Sequence, residues 1–242
     1  MTLRRAIKSA GQRFLRFASI ASNNALFRFG YQLLPCPTVT VLRPWESDAE
    51  FLRLHSEIKD HTLVDPIRCF MLYQLARNAR SIGGDVAELG VYRGGTGRLL
   101  SKVLAAKTVY LFDTFDGMPV RDDRYDSPTY SREFLSDTSL GEVTQYLADR
   151  PNVAILPGFF PDSASGVGGR FSFVHIDADV YPSTLAACEF FYPRTTPGGA
   201  LLFDDFGNCP GVVQAVEEFF ADKPEVPCYL QSGQGLVTKL SD

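Results

Sequence analysis

The sequence predicts an α/β fold: a mostly parallel sheet with helices on both faces, a C-terminal antiparallel hairpin, and a helical arm in front. Three observations predict it. Five short apolar runs, 85–89, 108–112, 153–156, 171–176 and 200–203, alternate with segments of helical period. Four of these strands end in acids or glycines, at the rim where the loops of an open sheet converge. Two further runs, 228–230 and 236–238, flank Ser232-Gly233-Gln234-Gly235 and read as a hairpin.

The chain opens with a basic arm. Leu3, Ile7, Ala10, Phe14, Phe17 and Ala21 fall in one helical sector, with Arg4, Arg5, Lys8, Arg13 and Arg16 opposite. Pro35, Pro37 and Pro44 mark an extended connector, which puts the boundary near residue 55, with 1–55 as arm and connector and 56–242 as the main domain. Pro66 starts a helix that runs to about Arg80, and Gly83-Gly84 stops it. The first strand, 85–89, leads into the glycine-rich turn Gly90 to Gly97 and a helix through about Ala106. The second strand closes on Asp113. From Asp116 to Asp137 the chain is acid-rich and aperiodic, too long for an ordinary connector, so it is either a functional loop or disordered, and a substrate-facing lid is preferred. Ser139-Leu140-Gly141-Glu142 is a capping box that starts a helix to Asp149. The remaining strands end at Asp177 and at Asp204-Asp205, each followed by a helix.

Composition narrows the function. The 242 residues are 45% hydrophobic and 12% aromatic, enough for a substantial core, so intrinsic disorder is excluded as the main state. The net charge is −4, which gives no global basic field and leaves nucleic acid out as a partner. Charge is uneven, however: residues 1–45 hold seven basic residues and no acid, leaving 17 basic against 28 acidic residues, net −11, beyond them. Cys36, Cys69, Cys188, Cys209 and Cys228 form no CxxC pair and read as free thiols in a reducing, cytoplasmic setting.

The candidate chemistry gathers at the strand ends. Glu88-Leu89-Gly90 and Gly94-Gly95-Thr96-Gly97 form a turn with little side chain, which either lets a ligand approach a helix N-terminus or is simply tight. Asp113 follows Glu88 by 25 residues, where nucleotide-binding sheets place an acid on ribose hydroxyls. Asp177, Asp179, Asp204 and Asp205 share one rim and would repel one another, so they either hold a hard cation such as Mg²⁺ or cap the helices that follow. For Asp204-Asp205 the metal reading is preferred.

Four ordered motifs carry a family resemblance over roughly residues 60–220: Gly84-Asp85-Val86-Ala87-Glu88-Leu89-Gly90-Val91-Tyr92-Arg93-Gly94-Gly95, Phe112-Asp113-Thr114-Phe115-Asp116-Gly117-Met118-Pro119, His175-Ile176-Asp177-Ala178-Asp179-Val180-Tyr181-Pro182-Ser183-Thr184 and Asp204-Asp205-Phe206-Gly207. Together they resemble the macrocin O-methyltransferase (TylF-type) family. The resemblance implies a Rossmann-like class I methyltransferase sheet. It also implies S-adenosylmethionine as donor, Mg²⁺ as metal, and a sugar hydroxyl on a glycoside or nucleotide sugar as acceptor. Glu88, Gly90 and Gly94 would line the donor and Asp113 would hold its ribose, with Thr114 beside it. Asp177, Asp204 and Asp205 would ligate the metal, and Asp179 would be the general base. His175 is a rival base, placed second because a lone histidine within a strand is more often structural. Tyr92 and Arg93 either meet the donor carboxylate or cap the turn.

Two other readings stand beside this one. An NAD-binding oxidoreductase would use the same turn and Asp113, but the GxGxxG spacing is missing and the carboxylates would oppose a pyrophosphate. A non-catalytic carbohydrate-binding protein would have no need of all four rim aspartates. For the arm, docking on the acidic body or on a second copy of the chain is preferred over a lipid surface.

Overall fold

The computed structural model describes residues 43–242. The predicted amphipathic arm therefore lies outside the described residues. Helix α1, Ala49–Ile58, is capped by Asp48, whose side chain accepts from Phe51 N, and it buries Phe51, Leu54 and Ile58. Residue 55, where the sequence sets the end of the connector, falls inside this helix. Helix α2, Pro66–Ala79, has Pro66 in its first turn and Asp65 as its cap.

The sheet contains β1 Asp85–Leu89, β2 Val109–Asp113, β3 Val153–Pro157, β4 Phe171–Ile176, β5 Thr195–Phe203, β6 Cys228–Tyr229 and β7 Gly235–Thr238, in the order β3-β2-β1-β4-β5-β7-β6. The pairs among β1 to β5 are parallel, and β7 pairs antiparallel with both β5 and β6. This is the predicted mostly parallel sheet with its C-terminal hairpin. The intervening helices are α3 Gly95–Val103, α4 Leu140–Tyr146, α5 Tyr181–Phe191 and α6 Pro210–Phe220.

Each strand's side chains alternate between two cores. Val86, Val109, Leu111, Phe173 and Leu202 pack with α1, α2 and α3, while Ala87, Leu89, Phe112, Val174 and Leu201 pack with α5 and α6. By the same alternation Glu88, Asp113, His175 and Asp204 belong to the α1–α3 side.

Some boundaries differ from expectation. The helix expected to reach Ala106 ends at Val103, because Leu104 leaves helical geometry at φ −113° and its carbonyl closes a turn with Lys107 N. Strand β5 begins at Thr195 rather than Ala200: Thr195 pairs with Phe171, and Ala200 resumes pairing at Phe173, so Thr196 to Gly199 form an irregular excursion in the strand. The capping box is present, with Ser139 Oγ bonded to Glu142 Oε2 and accepting from Glu142 N, but α4 ends at Tyr146 rather than Asp149.

Candidate active site

Parallel pairing brings the strands level at their carboxyl ends. Gly90 N donates to Phe112 O (2.9 Å), Asp177 N to Leu89 O (2.8 Å) and Asp204 N to Ile176 O (2.9 Å). The strand order reverses between β1 and β4, and an open α/β sheet collects its ligands in the crevice outside such a point. Gly90 is required there by the chain itself. It holds φ +90°, and a Cβ would lie 1.8 Å from the Asp177 carbonyl oxygen.

A cavity opens along this edge. Of the twelve residues the sequence nominated, it is lined by Gly90, Tyr92, Asp113 and Thr114 from the donor set and by Asp177, Asp179, Asp204 and Asp205 from the acid set. Glu88, Arg93, Gly94 and His175 are not among its walls. Gly94 is the left-handed N-cap of α3 (φ +83°) and packs toward Val143 and Tyr146. Glu88 and His175 are fully buried beneath the rim, paired by the β1–β4 register, with His175 Nδ1 and Glu88 Oε1 2.8 Å apart. Neither forms part of the cavity wall in this arrangement, so Glu88 as a donor-lining residue and His175 as a rival base find no contact with the cavity. Burial opposes charge on His175, but its hydrogen bonds with Asp204 and Glu88 outweigh that and raise its pKa to about 9, so the imidazolium persists at neutral pH.

Asp113 fastens the glycine turn. Val91 N and Tyr92 N donate to its Oδ2 (2.7 and 2.9 Å), and Phe115 N donates to Oδ1 (2.7 Å). The Oδ2 lone pairs are thereby used, and the strongest remaining acceptor direction toward a ligand is on Oδ1. Tyr92 and Arg93 hold the end of the following loop at Asp137. Tyr92 Oη donates to Asp137 (3.0 Å) and Arg93 Nη2 pairs with the same carboxylate (2.5 Å). The segment from Asp116 to Asp137 is an irregular loop that walls the cavity with Met118, Phe134 and Leu135. Asp126 pins its middle by accepting from Tyr181 N (2.9 Å) at the start of α5.

The four rim aspartates do not cap helices: the N-cap residues of α5 and α6 are Val180 and Cys209, with no side-chain cap bond. They face one another instead. Ligand oxygens of Asp177 and Asp204 lie within 4.8 Å, as do those of Asp179 and Asp205. Burial, reinforced by the neighbouring carboxylates, pushes Asp177 and Asp179 well above the usual carboxylate range.

Two residues absent from the sequence reading complete the cluster. Arg68, from α2, pairs with Asp204 Oδ2 and lies 3.3 Å from Asp205 Oδ1, while its Nε donates to Asp65 Oδ2 (2.9 Å). Gln234, fully buried in the hairpin turn, donates from Nε2 to Asp204 Oδ1 (2.7 Å). The antiparallel β5–β7 register explains the contact, since Phe203 opposes Gly235 and Asp204, one residue on, then comes level with Gln234, one residue before Gly235. Burial alone would raise the Asp204 carboxyl, but His175, Arg68 and Gln234 together hold it below the ordinary value. One guanidinium and an imidazolium shared with Glu88, set against four carboxylates, leave negative charge unbalanced, and the carboxylate oxygens at the rim have the chemistry of a hard divalent-cation site. Nearby Cys209 does not change that chemistry: burial pushes its thiol up to about 12, so it offers no thiolate to a softer metal.

The family model for macrocin O-methyltransferase (TylF) matches residues 60–227. The chain is similar to mycinamicin III 3''-O-methyltransferase of Micromonospora griseorubida, 31% identical over 178 residues, 66% of this chain and 70% of that protein. It is 34% identical over 145 residues to 8-demethyl-8-(2,3-dimethoxy-α-L-rhamnosyl)-tetracenomycin-C 4'-O-methyltransferase of Streptomyces olivaceus, covering 53% of this chain and only 55% of that enzyme. Among solved structures, the O-methyltransferase NovP superimposes with TM-score 0.67 at 25% identity, over 74% of this chain and 82% of NovP. Calicheamicin methyltransferase CalS11 shares the fold with TM-score 0.62 at 15% identity, over 85% of this chain and 99% of CalS11. With the family model spanning more than half of its length, the chain belongs to the macrocin O-methyltransferase (TylF) family.

Proposed function

We propose that this protein transfers a methyl group from S-adenosylmethionine to a sugar hydroxyl of a glycosylated small molecule or nucleotide sugar, assisted by Mg²⁺. One observation carries the reading: a single cavity is walled at once by the Asp113-fastened turn and by four carboxylates. A nucleoside donor and a cation-held acceptor would then share one compartment. The relatives' names support the acceptor class, and that of the tetracenomycin enzyme specifies a rhamnosyl substrate.

Gly90, Tyr92, Asp113 and Thr114 would hold the donor, with Asp113 Oδ1 turned to a ribose hydroxyl. Bound there, S-adenosylmethionine supplies a methyl on a sulfonium sulfur, already activated toward attack. Asp177, Asp204 and Asp205 would hold the cation, which supplies charge neutralisation and Lewis acidity toward neighbouring hydroxyls. The chain's own task is then alignment and deprotonation. Asp179 takes the proton of the reacting hydroxyl as the C–O bond forms and the C–S bond breaks, leaving a methyl ether and S-adenosylhomocysteine. Burial and the Asp205 carboxylate raise the proton affinity of Asp179, which suits a base, while Arg68 opposes them. The carboxylate rim disfavours the oxidoreductase alternative, because a dinucleotide pyrophosphate would meet negative charge there.

EDTA should abolish formation of S-adenosylhomocysteine in an assay with a rhamnosylated acceptor, and Mg²⁺ should restore it. Full activity in EDTA would reduce the acid cluster to a structural feature. Asp113→Ala removes three backbone hydrogen bonds and the remaining ribose acceptor, so S-adenosylhomocysteine affinity should fall by more than about tenfold in calorimetry. Unchanged affinity would detach the glycine turn from the donor site.

A further inference from the structure

We propose that Arg68 is a built-in counter-ion of the metal centre that competes with the divalent cation for Asp204 and Asp205 and swings aside when the cation binds. The inference rests on the metal reading above and concerns a residue that reading does not use.

Hydrogen-bond capacity at Asp204 carries the argument. A carboxylate offers about four acceptor positions. Gln234 Nε2 takes one on Oδ1 at 2.7 Å, and His175 Nε2 stands 3.4 Å from the same oxygen. Both partners are fully buried and fixed by strand register, so Oδ1 is committed to the protein interior. A cation can therefore engage Asp204 only through Oδ2, and Oδ2 is the atom that Arg68 Nη1 grips. The same Nη1 reaches Asp205 Oδ1 at 3.3 Å, so one guanidinium nitrogen bridges two of the three proposed ligands. Oδ2 has a second acceptor position, but a cation there would lie against the guanidinium, and the two positive charges would repel at close range. Either the guanidinium moves or the cation binds without Asp204.

The structure also shows how Arg68 can move without being lost. Its Nε is held by Asp65 Oδ2, and Asp65 Oδ1 accepts from Ile67 N and Arg68 N at the start of α2. Asp65 is half exposed, whereas Asp204 is buried. A guanidinium released from Asp204 can pivot on Asp65 toward the cavity mouth and keep a charged partner there. Lysine could not reproduce this, since one ammonium cannot bond Asp65 and the Asp204–Asp205 pair through separate nitrogens of a rigid fork. Such a device neutralises part of the cluster while no cation is present, and it weakens cation binding by the work of displacing the arginine.

Magnesium chloride titrated calorimetrically into the protein saturated with S-adenosylhomocysteine tests this directly. Arg68→Met should tighten the Mg²⁺ dissociation constant by about tenfold or more, because a positive charge in contact with the ligand oxygens is gone. Arg53→Met removes an equal charge from the exposed surface of α1, where Arg53 pairs with Glu57, and should change the constant by less than about twofold. In thermal unfolding, Arg68→Met should melt below the parent in EDTA and recover more than the parent does when Mg²⁺ is added. If Arg68→Met fails to fold, Arg68→Lys decides, with a smaller tightening expected. Equal or weaker Mg²⁺ binding in the folded Arg68 variant, with binding to the parent intact, would overturn the inference alone. No Mg²⁺ binding to either protein would overturn it together with the metal reading.

Discussion

Asp179→Asn is expected to lower kcat by about 10²- to 10⁴-fold, the range for loss of a positioned general base. KM for either substrate, and S-adenosylhomocysteine affinity, should stay within about twofold. The substitution suits the question because Asp179 sits at φ +59°, in the left-handed region that asparagine tolerates as readily as aspartate. The backbone that aims the side chain survives, and only the ability to accept a proton is lost. Asp179 lines the cavity, shares ligand distance with Asp205, and is the one rim aspartate not assigned to the cation. A group acting mainly in the transition state shows its loss in kcat and kcat/KM together. Parent-like kcat in Asp179→Asn would remove it as the base, and a large rise in KM alone would make it a binding residue.

What the sequence revealed and what it concealed follow from how each contact is built. Asp177, Asp179, Asp204 and Asp205 could be placed because each stands just past an apolar strand, and parallel strands of one sheet end at one edge. Glu88 and His175 instead sit within β1 and β4, each one residue short of the strand's last position and opposite one another in the register. Alternation turns both to the α1–α3 side, as it does Asp113 and Asp204, so their depth inside the strands and not their face keeps them from the rim. Arg68 and Gln234 had no such signal. An arginine in the first turn of a helix is usually a solvated residue, and only the packing of α2 on that face of the sheet brings it to Asp204. Gln234 depends on the antiparallel register of a four-residue strand with β5, which no local pattern specifies. Both supply hydrogen bonds to an acid that the sequence reads as a metal ligand in preference to a helix cap, so part of the charge compensation belongs to the protein.

His175→Gln is expected to destabilise the protein by about 3 kcal/mol, at the lower end for breaking a buried ion pair by removing one partner, while changing kcat far less than Asp179→Asn. The imidazolium lies between Glu88 and Asp204 with no exposure, and Glu88 Oε2 already has no hydrogen-bond partner. That oxygen faces the first turn of α3 at Gly97, where the helix dipole offsets some of its charge. Without the histidine, Glu88 and Asp204 would face each other with only glutamine amides between them. The pH dependence follows from the raised pKa. With an ordinary value of 6.5 and a folded value of about 9, the imidazolium's contribution is fully present below about pH 6.5 and is lost as pH rises through about 9. Urea unfolding in EDTA should therefore show the parent losing more stability between pH 6.5 and 9 than His175→Gln loses. Asp177 and Asp179, also raised, slope the same way in both proteins and cancel in the comparison. Equal slopes would mean that His175 is neutral in the fold. A fall in kcat matching that of Asp179→Asn, with stability intact, would return the histidine to the role of base.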